Sequence, residues 1–244
     1  NNKTLAICDY LNHKIKFNNK NFKYLFSVGG KGIEKYKLDL PNNLDTLNNH
    51  FILSDSQNDR ILRISNSGKI STIIKPKFIK EDLRRPIKIL KKNRDLYVLD
   101  RDNSRIAVLN LNLKYKNCIK LKKYINGKPN SFCLMNIKNK NFLIILYRFS
   151  NLKNKILVYD LAGNYHSKIV LNLKDAQDLE SFDTNIIISD TNHRRLVLYD
   201  FISKKIFVKN LCKYTSNNRL LTKTVTWDKV GNIYTADFEK CIIL

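Results

Sequence analysis

The chain has 244 residues, 43% of them hydrophobic, with 7 Gly, 4 Pro and 5 Cys. That length allows a sizeable core, and the composition excludes a collagen-like, disulfide-stapled or wholly disordered protein. Charge is lopsided, with 45 Lys and Arg against 21 Asp and Glu for a net +24, and no apolar run approaches the about 20 residues a membrane-crossing helix needs.

Read from the N-terminus, short apolar runs end in Asp at a steady interval. Four segments align without a gap: LAICDYLNHKI at 5–15, FILSDSQNDRI at 51–61, LYVLDRDNSRI at 96–106 and IIISDTNHRRL at 186–196. Each has an Asp (Asp9, Asp55, Asp100, Asp190), a polar turn, and a base five positions later (Lys14, Arg60, Arg105, Arg195). Two weaker copies complete the series. One, at 142–160, has Tyr147 where the Asp is expected and a longer turn before Lys155; the other, at 233–244, has Asp237. The marks at 9, 55, 100, 147, 190 and 237 are 43 to 47 residues apart, the length of one four-stranded propeller blade.

Within a period the runs are β-branched and aromatic, too short for helices. The spacing predicts strands over 96–100, 105–111 and 118–121, then an inner strand over 131–137 that opens the next period. The expectation is therefore an all-β, six-bladed propeller with four-stranded antiparallel blades, a single domain over 1–244. The first copy starts at its second strand and the last stops early, so six marks account for about 22 strands. Asn1-Asn2-Lys3 lacks an initiating Met, which is expected of a trimmed chain, and the compartment is left open.

The pattern resembles the NHL repeat family. Asn12-His13-Lys14-Ile15 stands where the family has Asn-His-Arg-Ile, and Phe26-Ser27-Val28-Gly29-Gly30-Lys31-Gly32, running on to Leu40-Pro41, is similar to the family's Gly-rich linker. The resemblance implies a propeller whose recurring Asp, Asn and Arg residues build blades. Asp9, Asp55, Arg60, Asp100, Arg105, Asp190, Arg195 and Asp237 are read in that structural role, because a strand-end Asp can accept turn N–H groups and pair with Arg.

No catalytic residue or cofactor is called for: G-x-S-x-G, H-E-x-x-H, P-loop and dinucleotide fingerprints are absent. The five cysteines lack metal spacing and read as small buried hydrophobes. Some propellers of related architecture are lyases or lactone hydrolases with a metal at the central channel. The inner-strand carboxylates that could serve this third reading are Asp45, Asp178, Glu180 and Asp228.

The basic and aromatic linkers carry the functional expectation. In a four-stranded blade, the linker leaving strand four and the turn after strand two emerge on one side. The candidate ligand-binding set there is Lys31, Lys35, Tyr36, Lys37, Lys75, Lys77, Phe78, Arg84, Arg85, Lys122, Lys123, Tyr124, Arg148, Arg194, Tyr214 and Arg219. A protein or peptide partner on this linker face is the first reading. Single-stranded RNA or another anionic polymer is the alternative, since Lys and Arg neutralise phosphates while aromatic rings stack on bases; the resemblance points the same way, because some NHL propellers bind such RNA. The charge has a second explanation: 34 Lys, 32 Asn and 28 Ile are the residues with the most A/T-rich codons.

Overall fold

The computed structural model describes residues 4–74, 82–211, 221–228 and 231–237. Lys75, Lys77, Phe78, Tyr214 and Arg219 lie outside them, as does the side chain of Asp237. The strands fall in two compact units, Asn1–Leu121 and Lys122–Leu244.

The first unit holds three antiparallel meanders. They are β1 (Thr4–Asp9), β2 (Lys14–Asn19) and β3 (Tyr24–Gly29); β4 (Pro41–Leu47), β5 (His50–Asp55), β6 (Arg60–Ser65) and β7 (Ile70–Ile74); and β8 (Pro86–Lys92), β9 (Asp95–Asp100), β10 (Arg105–Asn110) and β11 (Tyr115–Lys120). The second unit repeats the plan. It has β12 (Gly127–Ile137), β13 (Lys140–Phe149), β14 (Asn154–Asp160) and β15 (Tyr165–Ile169); β16 (Asp178–Phe182), β17 (Asn185–Asp190), β18 (Arg195–Asp200) and β19 (Ile206–Asn210); and the pair β20 (Thr222–Trp227) and β21 (Ile233–Asp237).

The fold is an all-β propeller of five blades, which corrects the expected six. Four sheets have four strands and the first has three, while the sixth copy contributes only the β20–β21 ladder among the described residues. The reason is where the repeat mark sits. Each Asp ends the second strand of its copy, so a mark registers a copy before the strands that would complete its blade. In the complete sheets the last two strands lie beyond the mark, from Arg60 to Ile74 or from Arg105 to Lys120.

Stacking explains why the strand sequences are continuous rather than alternating. A blade between two others is buried on both faces, and successive residues of one strand point to opposite faces. On β5, Phe51 and Leu53 enter the cluster shared with β2, among Ile15, Phe17, Leu62 and Ile64. Ile52 between them enters the cluster with Ile89, Val98 and Ala107. On β17, Ile186 and Ile188 join Ile144 and Val158, while Ile187 faces Leu196 and Val225.

Between strands two and three of a blade the signature residues form one recurring device. Asp55, Asp100 and Asp190 are fully buried. One carboxylate oxygen of each accepts the backbone N–H of a linker residue 16 positions earlier: Asp39 at 2.7 Å, Arg84 at 2.8 Å and Lys174 at 2.7 Å. The other oxygen accepts from Asn58, Asn103 or His193, and from the Nε of Arg60, Arg105 or Arg195 at 2.6 to 2.7 Å. Burial raises the Asp55 and Asp100 carboxyls above the ordinary value, against the opposing pull of these donors.

The guanidinium then reaches the linker itself. Arg60 donates to the carbonyls of Ile33, Glu34 and Lys37 at 2.7 to 3.0 Å. Arg105 reaches Asp82, and Arg195 reaches Asn172. Removing one partner of a buried pair strands the other charge, which costs about 3–5 kcal/mol. In urea unfolding, Arg60→Ala should lose about that much, whereas Lys116→Ala, which breaks the half-exposed pair with Asp95, should lose less than about 1 kcal/mol. Equal losses would contradict the clamp.

Candidate binding surface

In the first unit the clamp brings linkers and signature turns to one side. The linker before β4 starts at Gly29, whose φ of +107° and close approach to the His13 carbonyl exclude a side chain. Lys31 then bridges to Leu38, making a loop whose backbone is held from below by Arg60 and by Asn58 Nδ2 on the Gly32 carbonyl at 2.9 Å. Its side chains stay outside: Lys31, Lys35 and Lys37 are exposed, Tyr36 is 62% exposed and Ile33 77%.

Arg84 and Arg85 lie on the next linker. Arg84 gives its N–H to Asp100, and the N–H of Arg85 donates to Asp59, in the turn of the preceding blade, at 2.7 Å. The two basic segments of this unit are thus tied to neighbouring turns.

Copy four, in the second unit, carries a different version. Tyr147 occupies the place of the signature Asp and is fully buried. Its hydroxyl donates to the Lys122 carbonyl at 2.8 Å, so the linker is again held from strand two, now through a carbonyl instead of an N–H. Burial pushes the Tyr147 phenol far above its ordinary range. Around it, Tyr124 packs edge-on against Tyr147 and Phe149, each with ring centroids 5.2 Å apart. Lys155, in the position of the signature Arg, stands over Tyr124 at 4.7 Å and over Phe149 at 5.1 Å. Lys122 also lies over Tyr124, at 5.5 Å. Lys122 and Lys123 are exposed.

These contacts alter what the basic–aromatic set can do. Tyr124 has lysine ammonium groups over its ring, and Lys35 lies over Tyr36 at 5.4 Å, so the linker tyrosines are not bare platforms for stacking a base. Arg148 is paired with Asp175. Arg194 caps its turn with positive φ, and its carbonyl accepts from Leu211 at 3.0 Å.

Sequence reasoning missed the apolar members of the surface. Ile33 and the fully exposed Ile125 sit in the same linkers as the bases, and their signal was an aliphatic residue in an otherwise polar, Gly-bearing loop.

Two of the inner-strand carboxylates, Asp45 and Asp178, have structural partners across blades. Asp45 accepts from the N–H of Thr46 and of Lys91, both at 2.6 Å. Asp178 accepts from Ser131 and Leu179 on one oxygen and from Thr224 and Val225 on the other. Asp228 holds the β20–β21 turn through Asn232 and Tyr234. Among the described residues, no three His, Cys, Asp or Glu side chains are grouped to hold a metal ion, and no helix is long and apolar enough to cross a membrane.

No family model and no curated protein matches the chain. Solved structures do. A streptogramin B lyase is similar with a TM-score of 0.67 and 15% identity, over 98% of this chain and 74% of that one. A protein of unknown function from Bacteroides caccae gives 0.72 and 12%, over 98% and 84%. Hydrazine synthase from Kuenenia stuttgartiensis gives 0.66 and 13%, over 96% and 70%. The chain shares their β-propeller fold. At these identities the likeness extends to the fold alone, and the NHL resemblance rests on the sequence motifs.

Tyr147 separates the two ways of holding a linker. Tyr147→Phe removes the bond to the Lys122 carbonyl and should cost about 0.5–1.5 kcal/mol in urea unfolding. Tyr147→Asp buries a carboxylate beside a lysine already spread over two rings and should cost about 3–5 kcal/mol. A neutral or stabilising Tyr147→Asp would contradict the assignment.

Proposed function

We propose that this chain is a non-catalytic, NHL-like binding platform that takes a protein or peptide partner on its linkers and signature turns. The observation that carries this reading is the first linker: Arg60 fixes three of its backbone carbonyls while Ile33 and Tyr36 remain largely exposed. A backbone held before the partner arrives loses little entropy on binding, and an exposed aromatic and aliphatic pair supplies the contact area. Lys31, Lys35, Lys37, Arg84 and Arg85 form its basic rim, suited to a partner with acidic residues at its contact edge. Lys122, Lys123, Tyr124 and Ile125 offer a second such set on the other unit.

The hydrogen bonds of Asp45 and Asp178 favour binding over a metal-dependent lyase or hydrolase, because both carboxylates already hold neighbouring inner strands. The two lysines over Tyr124 favour a protein over single-stranded RNA, because stacking a base there would first displace an ammonium group.

A photo-crosslinking benzoylphenylalanine at Tyr36, tested in extract of the source cells, should give a discrete protein adduct. The adduct should weaken with Ile33→Ala and be absent when the label is moved to Asn117 on the outer strand β11. Adducts of equal yield at both positions, or one removed by ribonuclease, would overturn the reading.

A further inference from the structure

A second surface, apart from the linkers, lies at the outer edge of the β16–β19 sheet. Among the described residues the sheet order ends at β19, whose ladder partner is β18. The outermost strands of the other complete sheets each bury an aliphatic residue: Ile70 on β7, Ile119 on β11 and Ile169 on β15. β19 buries none. Ile206, Phe207 and Val208 are 52, 56 and 48% exposed, and Ile202 in the preceding turn is exposed as well.

Three consecutive apolar residues on a strand place side chains on both faces, Ile206 and Val208 on one and Phe207 on the other. No single flat surface can cover both faces. Their common feature is the edge itself, and an apolar edge strand is what protein surfaces ordinarily blunt and what strand addition uses.

Charge selects the occupant. From Phe201 to Leu211 the sequence carries Lys204, Lys205 and Lys209 and no Asp or Glu. A second copy docking through this edge would bring two such stretches together, in a chain that already bears a net +24, so self-pairing is opposed by like charge. We propose that β19 accepts by strand addition an extended peptide alternating apolar and acidic residues. The backbone ladder would supply affinity, the apolar residues would cover Ile206, Phe207 and Val208, and the carboxylates would answer the basic stretch.

The probe is a fluorescein-labelled nonapeptide of alternating Val and Glu, with a Val–Lys counterpart as control, titrated into the full chain and followed by anisotropy. Amide hydrogen exchange at 206–210 is measured in parallel. The acidic peptide should bind, the basic one should not, and exchange at 206–208 should slow in the complex. Phe207→Ser and Val208→Thr should each weaken binding by about tenfold or more, about 1.4 kcal/mol. Their unfolding should stay cooperative with midpoints lowered only slightly, because about half of each altered side chain is already exposed. No binding, binding unaffected by both substitutions, or exchange at the edge unchanged in the complex would overturn the proposal. Sedimentation showing a dimer that either substitution dissolves would also overturn it, in favour of a second copy.

Discussion

The structure depends on a buried carboxylate–guanidinium pair placed between the second and third strands of a blade. A propeller blade is a simple meander, and nothing in a meander tells the incoming linker where to lie. The pair solves this with two hydrogen-bonding ends. The carboxylate takes an N–H from the residues leading to the inner strand, and the guanidinium takes carbonyls further back in the same linker. Both ends are hydrogen-bonded, so part of the cost of burying the charges is offset inside the blade. The linker is thereby tied to the blade through both its N–H groups and its carbonyls.

Copy four shows that holding the linker matters more than the charge that does it. Tyr147 replaces the acid and Lys155 replaces the guanidinium. The phenol then reaches a linker carbonyl, and the lysine moves out over Tyr124 and Phe149. An ion pair has become an aromatic cluster with a cation on its surface. A second set of ties joins successive inner strands, through Asp45 and Lys91 in one unit and through Ser131, Asp178 and Val225 in the other. The linker ties set the surface, and the inner-strand ties set the stacking.

The all-β repeat was legible because its register is local. A strand, an Asp, a four-residue turn and a base recur in four of the six copies, and β9 and β10 lie where the runs over 96–100 and 105–111 place them. The number of blades was not legible, because a mark at the end of strand two says nothing about strands three and four. The structural partners of Asp45 and Asp178 were not legible for a related reason. Their partners Lys91 and Val225 are backbone N–H groups 46 and 47 residues away, and a backbone donor leaves no trace in the residue type. Ile33 and Ile125 escaped notice because the search followed charge, whereas the exposed surface of these linkers is partly apolar.

The central claim is that the linkers are rigid because the clamp holds them, and native-state hydrogen exchange of the amides of Asp39, Arg84 and Lys174 tests it most directly. These N–H groups lie in linkers but donate to buried carboxylates. They should exchange as slowly as the amides of β5, β9 and β17, by global unfolding. Exchange as fast as that of an exposed turn such as Asn112 would mean that the linkers open freely, and that the surface they carry is not preorganised.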